Sequence, residues 1–540
     1  MMKKVIKKLL AALLAVAMVC AMAIPAFADN TKEDLGLNHC YAAFQIFTGD
    51  VTGNDTDGFK ISNVTWGKNI PDHTGFLAKL NEDSTLSSKF ANADSLQKVL
   101  DVMKDWTTSD DNSIAFARFV CNYIYTDPNA NREPVKTDHT NGIELDEPGY
   151  YLIVDTSSFS SDAYGDSYHA YNSFLLKVTK GPYHVQITPK VVKPTVEKEV
   201  YDNQDGTNKA GFGSSADHAI NEEFQFRLIA KLPASENNGR AYDYYNQYTV
   251  YFNDTLSKGI TYDNLDSVVI NSNGHTYDIT GDSSKYNVDD SRLKSDNYFV
   301  VGIPDVKTCV KDPEFNLNNG ATITVTYTAH LNENAAVNGS AENKNSVRLQ
   351  YSNNPRPDGK YWGYTPTPES EVYVYTYQLN NTKYRDDDIP GNELAGAGFR
   401  LYSNEVCNAE DEIKLKMNDD GTYSRDFSTE GKGVEMISNN KGQFNVKGLD
   451  AGTYYLKETT PPAGYSACAN KEIVISATHN GNHVELDSSK LSTTIINKKA
   501  GGITLPSTGG IGTTIFYVVG GGLMVAAIVL LVTKKRMENK

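Results

Sequence analysis

Cysteine, tryptophan and positive charge are all scarce: the chain has 6 Cys and 3 Trp among 540 residues, with a formal net charge of −16. An acidic balance of that size argues against a nucleic-acid partner, which requires a basic patch. No CxxC pair occurs, which removes the common zinc spacing, and the histidines are scattered without metal-ligand intervals. No GxSxG, P-loop or dinucleotide-binding glycine pattern stands in a suitable strand-to-helix context. The expectation is a protein that is not an enzyme and carries no cofactor or metal. Acid-rich turns at Asp386–Asp388 and Asn418–Gly421 read as solvated loops. Cys20 aside, Cys40, Cys121, Cys309, Cys407 and Cys468 are an odd set for an exported chain. Cys40 with Cys121 and Cys407 with Cys468 are the disulfide candidates that fall within one region, and spacing leaves the connectivity open.

Long apolar runs occur only at the two ends. Lys3, Lys4, Lys7 and Lys8 precede the run Leu9 to Ala23, and Ala26-Phe27-Ala28 supplies a small-x-small cleavage pattern. Cleavage after Ala28 makes Asp29 the first mature residue of a secreted protein. At the other end Leu505-Pro506-Ser507-Thr508-Gly509-Gly510 is followed by the apolar run Ile515 to Val532 and by Lys534-Lys535-Arg536. That run is just long enough to span a bilayer, with the basic tail on the cytoplasmic side. Both ends are processing signals and stand outside the fold.

Between them the length suits about three domains. Tyr, Thr, Val, Asn and Gly are abundant and helical periodicity is rare, so the fold class expected is mainly β. Residues 1–28 read as signal peptide, 29–187 as an N-terminal α+β domain, 188–372 and 373–500 as tandem Ig-like β-sandwiches, and 501–540 as the terminal signal. In the first domain Tyr41–Phe47 and Tyr150–Val154 read as strands, and Leu96, Val99, Leu100 and Met103 recur at helical spacing behind Asp94 or Ser95. Ser113–Ile124 reads as a second helix. In the second, Val196–Val200, Phe224–Leu228, Tyr248–Phe252, Ile323–Tyr327 and Val347–Tyr351 alternate as half-buried strands do. Gly398–Tyr402, Thr453–Leu456 and Thr493–Ile496 do so in the third.

The same alternation places three polar residues on apolar faces in each sandwich. Lys198 shares a face with Val196 and Val200, Asp254 with Val250 and Phe252, and Asn345 with Val347 and Leu349. In the third region Lys383 follows Leu379, Glu458 follows Leu456 and Asn497 follows Ile495 at even spacing. Burying such groups separately is costly. Burying them together lowers the lysine pKa and raises that of the acid, so that a neutral amine can attack the Asn side-chain carbonyl. Ammonia leaves and an intramolecular Lys-Asn isopeptide bond remains, with Asp254 and Glu458 as the promoting acids.

Several segments resemble a known family. Leu505 to Gly510 with its span and basic tail resembles the LPxTG cell-wall sorting signal of Gram-positive surface proteins, which implies that a sortase cuts between Thr508 and Gly509 and passes the Thr508 acyl group to an amine. Gln45–Gly49 and Ser62–Gly67 look like the N-terminal domain of backbone pilins. Leu394–Phe399 and Tyr454–Tyr465 resemble the opening and E-box of collagen-adhesin B-type (Cna B) domains, with Glu458 at the catalytic acid. Asn343–Pro355 resembles the closing strand of the pilin middle domain, with Asn345 at the bonded position and Asn343 the other choice on that face. His184–Lys190 resembles the pilin motif, whose usual core is Tyr-Pro-Lys; Thr188 replaces the Tyr, Lys190 matches the acceptor, and Lys180 and Lys193 are the neighbouring alternatives. The opening strand of the first domain has no lysine for such a bond.

The resemblance implies a sortase-polymerised backbone pilin in the cell wall and pilus, membrane-anchored only before sorting. Its implied partners are the sortase, other copies of itself, ancillary pilins, peptidoglycan and a host-surface ligand. The alternative is a wall-anchored adhesin or ancillary pilin that is not polymerised.

Overall fold

The computed structural model describes residues 40–500 apart from 55–57, 108–109, 139–141, 157–172, 180–182, 187–192, 205–207, 236–239, 354, 356–365 and 429–430, together with 523, 527–532 and 534–535. Strands dominate, in sheets that belong to three successive regions.

The first region packs helices on one face of a sheet in which Tyr41–Asn54 is flanked by Gly58–Trp66 and Gly149–Asp155, with Ser173–Val178 beyond. Ala42, Phe44 and Ile46 point to the helices, while Tyr41 and Ala43 pack in a smaller cluster with Ile153 and Phe174. Because both faces of its first half are covered, Tyr41–Phe47 is apolar on both faces apart from Gln45 and does not alternate. The helix Leu96–Met103 begins after Ser95, and Asp111–Thr126 carries the second helical stretch. A further helix, His73–Glu82, has a weak sequence signal and is set by its cap: the Asp72 carboxylate accepts from Gly75 N–H at 2.9 Å.

The middle region is a sandwich of two six-stranded sheets around one core. One sheet holds Thr195–Asp202, Glu223–Leu232 and Ala321–Leu331 side by side; the other holds Val250–Leu256 between Lys344–Tyr351 and Tyr298–Ile303. The strand Ser370–Tyr375 completes the second sheet, so the middle fold runs past residue 372 and the third begins at Tyr377. In the third region Tyr377–Arg385 and Ser492–Asn497, its first and last strands, lie side by side in parallel. Gly452–Thr460 belongs to the facing sheet.

No disulfide joins the five described cysteines. Cys121 is instead a core residue of its helix, and Cys407 and Cys468 remain thiols in separate settings. Among the described residues no helix is long and apolar enough to cross a membrane, and most of the apolar run Ile515 to Val532 lies outside them.

The middle and third regions meet closely at Gly448. Its φ is +75°, its carbonyl accepts from Ile220 N–H at 3.0 Å, and an added Cβ would fall 2.3 Å from an Ile220 side-chain carbon. Gly448→Ala should therefore lower stability by at least about 1 kcal/mol and speed protease cutting between the two sandwiches. Unchanged melting and unchanged cleavage would show that this close approach does not matter.

Candidate functional site

In the middle sandwich three strands bring one polar group each to the gap between the sheets. Lys198, Asp254 and Asn345 are 3%, 0% and 0% exposed. Lys198 reaches across from its sheet to contact the Asp254 carboxylate in the other, with both side chains fully buried. Its amine also lies 3.1 Å from the Tyr327 hydroxyl and about equally far from the Phe226 and Tyr327 rings, at 5.1 and 5.2 Å. Asn345 Nδ2 donates to the same hydroxyl at 2.5 Å, and the hydroxyl stands 3.3 Å from Asp254 Oδ1.

The surroundings set the protonation of these groups. Burial pulls the Lys198 amine down to about 8 against the pull of Asp254, and burial pushes the Asp254 carboxyl up. Burial also holds the Tyr327 phenol protonated, well above its ordinary range. A proton can thus pass from the amine to Asp254 and through Tyr327 toward Asn345 Nδ2, the nitrogen that would leave as ammonia.

The neighbouring Asn343 is also buried, but its amide is committed elsewhere. Its oxygen accepts from Ala336 N–H at 2.8 Å, and its nitrogen donates to the carbonyls of Ala336 and Val374 at 2.7 and 3.0 Å. Asn345 makes no such backbone bonds, and its Oδ1 has no hydrogen-bond partner among the described residues. The geometry therefore favours Asn345 over Asn343 as the group facing Lys198.

The C-terminal sandwich repeats the set with a different layout. Lys383 and Asn497 come from the paired first and last strands, and their side chains touch, amine to amide oxygen. Glu458 enters from the facing sheet: its Oε1 accepts from Asn497 Nδ2 at 2.7 Å and lies 3.4 Å from the Lys383 amine. One carboxylate oxygen can thus take a proton from the attacking amine and deliver it to the departing nitrogen. The other oxygen is held by Cys468 N–H at 2.8 Å. Phe399 lies under the amine, 5.3 Å from ring centre to nitrogen, and burial lowers the Lys383 pKa.

Sequence reading missed Tyr327 and Cys468. Tyr327 shares its inward face with Ile323 and Val325, so its alternation carried the signal. Cys468 follows an irregular turn with no period to read; burial raises its thiol to about 11, and Lys383 and Glu458 are its nearest charges. In the first domain Gln45 is buried in the opening strand, where its Nε2 donates to the Tyr151 hydroxyl at 3.1 Å, and that strand carries no lysine. Lys190, Lys180, Thr508, Gly509, Ala28 and Asp29 lie outside the described residues. Lys193 is half-buried just ahead of the Lys198 strand.

Comparison with known proteins follows the same regions. Residues 380–490 match the SpaA prealbumin-like fold domain, and residues 497–539 match the LPXTG cell wall anchor motif. The chain is thus a cell-wall-anchored protein with a C-terminal domain of that fold. The trypsin-resistant surface T6 protein of Streptococcus pyogenes serotype M6 is 25% identical over 287 residues, which cover 51% of this chain and 44% of that protein. The match accordingly spans under half of that relative's length. Among solved structures, the T6 backbone pilin of serotype M6 S. pyogenes aligns with 18% identity and a TM-score of 0.48, over 87% of this chain and 97% of that one. The pilus 2b backbone protein of group B streptococcus aligns with 23% identity and a TM-score of 0.38, over 56% and 98%.

The depressed Lys198 amine has a consequence when nothing can join it. In an Asn345→Ala chain the folded amine loses its proton near pH 8, while in the unfolded chain lysine holds it to about 10.4. Between these values the unfolded state binds more protons, so middle-domain stability should rise with pH. Chemical denaturation across that window checks this. An identical rise in Lys198→Met/Asn345→Ala would contradict it.

Proposed function

We propose that the chain is the backbone subunit of a covalently polymerised pilus. A sortase joins Thr508 of one copy to Lys190 of the next, and Lys198–Asn345 and Lys383–Asn497 bonds brace the two sandwiches. The observation that carries this reading is the convergence of a buried lysine, acid and asparagine in both sandwiches of a chain that ends in a wall-anchor motif. The likeness to the T6 surface protein and the prealbumin-like domain support it. The protein itself is structural; its only chemistry is the single maturation of each bond.

Each bond is balanced by loss of one ammonia. The lysine nitrogen attacks the Asn side-chain carbon, the acid takes a proton from the nitrogen, and the amide nitrogen departs with it. The product is a neutral amide in place of the lysine amine and the Asn carboxamide; the acid remains and, once neutral ammonia has left, is protonated, so no charged pair stays in the core.

The placement of the bonds follows the load. Tension in such a fibre enters a subunit at Lys190 and leaves at Thr508. Lys190 lies just before the Lys198 strand and Thr508 just after Asn497. The chain path then runs from Lys190 to Lys198, across to Asn345, on to Lys383, across to Asn497 and out. Each sandwich is bypassed, and the first domain hangs outside the path. A domain outside the load path needs no such bond, in keeping with an opening strand that carries no lysine. Closing the third domain, whose joined residues are 114 apart, is worth on the order of 4 to 5 kcal/mol by the loop-closure argument used for disulfides.

Coexpression with a pilus sortase tests the polymer. The chain should run as a high-molecular-weight ladder that Lys190→Ala collapses to monomer; a ladder unchanged by Lys190→Ala would sink the acceptor assignment, and a wild-type chain that stays monomeric would favour a non-polymerised adhesin. Tyr327→Phe should slow ammonia loss in the middle domain on the order of 100-fold, followed by mass during refolding, while leaving the Lys383 bond unaffected. A normal rate would remove Tyr327 from the proton path.

A further inference from the structure

A cleft that the cross-linking chemistry does not use lies on the helix-covered face of the first domain. Trp66, Phe47, Tyr150 and Lys177 are direct neighbours on four adjacent strands of its sheet, so their side chains share one face. Phe47 rests against Trp66 and Tyr150, with ring centroids 5.4 and 6.0 Å apart. Beyond the helix Leu96–Met103 the chain turns back, Trp106 N–H donating to the Met103 carbonyl at 3.0 Å, and the Trp106 ring packs on Phe90 and Phe116 at 5.5 and 6.3 Å. Between the row and this turn a cleft of about 320 Å³ stays open, floored by Phe47, Tyr150 and Lys177 and walled by Val64, Leu100, Met103 and Trp106. Pockets for small molecules run from roughly 300 to 1,000 Å³.

Lys177 is the member that points to a ligand. In the strand Ser173–Val178, Phe174, Leu176 and Val178 pack in the smaller cluster on one face, and Leu175 packs in the core under the helices on the other. Lys177 is in phase with Leu175, so it takes a position that the period of two gives to an apolar residue. It is half-buried, and among the described residues it has no ion pair and no side-chain hydrogen bond. Lys104, which follows the helix Leu96–Met103, is the other charged group of the wall. Positive charge thus gathers here on a chain whose net charge is −16. A lysine stem laid along apolar surface with its amine in water explains one such residue. It does not explain an open apolar cleft whose wall carries two cations and no acid.

We propose that this cleft binds a free long-chain carboxylate, with its hydrocarbon chain against Phe47, Leu100, Met103 and Trp106 and its head group on the Lys177 amine. The apolar walls match the chain, and an amine with no acid of its own matches the anion. A neutral alcohol of the same length fills the cleft but gives the amine no opposite charge. Sequence spacing could not reveal the site, because its walls come from three strands, a helix and the turn after it. This inference stands apart from the pilus reading and does not depend on it.

Trp106 in the wall and Trp66 beside Phe47 report on the cleft, since bromine quenches tryptophan fluorescence on contact. The full chain, held in phosphatidylcholine nanodiscs at neutral pH, is titrated with ω-bromoundecanoate and separately with ω-bromoundecanol, each corrected for its partition into empty nanodiscs. The carboxylate should quench along a saturable curve, and the alcohol should bind at least tenfold more weakly. Lys177→Gln should weaken carboxylate binding at least tenfold and leave the alcohol unchanged. Lys68→Gln, which removes an exposed lysine paired with Glu147 at 3.1 Å, should bind as the wild type does. Near-ultraviolet circular dichroism identifies a variant that fails to fold, and if Lys177→Gln does so the acid–alcohol comparison on the wild-type chain decides. No saturable quenching of the wild type, equal affinity for acid and alcohol, or wild-type affinity in folded Lys177→Gln would each overturn the site.

Discussion

Everything in the two sandwiches is arranged around a lysine amine that cannot reach water. In the middle domain that amine crosses the gap between sheets to an acid on the opposite side, and in the last domain it sits on a phenylalanine ring beside a glutamate. A charged pair in such a place is a poor source of stability, because desolvation offsets most of the attraction. It is a good place for chemistry, since the neutral amine becomes accessible there. The asparagine beside each amine supplies a side-chain carbonyl that the neutral amine can attack, with the acid to move the proton.

The two sites reach the same end by different geometry. In the C-terminal domain one Glu458 oxygen lies against both the attacking and the departing nitrogen. In the middle domain the acid and the amide are bridged by the Tyr327 hydroxyl. The difference follows from topology: Lys383 and Asn497 are on adjacent strands of one sheet, whereas Lys198 and Asn345 face each other across two. A bond in the first case closes the domain end to end, and in the second it pins sheet to sheet.

Much of this was legible in the sequence, because a strand has a period of two. Lys198, Asp254, Lys383, Glu458 and Asn497 each stood in phase with aliphatic neighbours, and the structure buries all of them. The period could not separate Asn343 from Asn345, which share a face. That distinction depends on the backbone of Ala336 and Val374, which no local pattern encodes. The His73–Glu82 helix was illegible for a similar reason, since it rests on a cap and on packing of Phe76 and Leu80 more than on a periodic stripe. The disulfide candidates failed because cysteines confined to one region need not meet; Cys121 faces a helical core and Cys468 faces the Lys383 site. The joint between sandwiches was the least readable part, being assembled from short turns of two domains.

In the proposed subunit each buried lysine is covalently joined to the asparagine it faces. Peptide mapping by tandem mass spectrometry of the chain, digested after denaturation and reduction, tests it most directly. Two branched peptides are expected, one linking Lys198 to Asn345 and one linking Lys383 to Asn497, each lighter than the sum of its parts by one ammonia. Recovery of all four residues only in linear, unmodified peptides would contradict it.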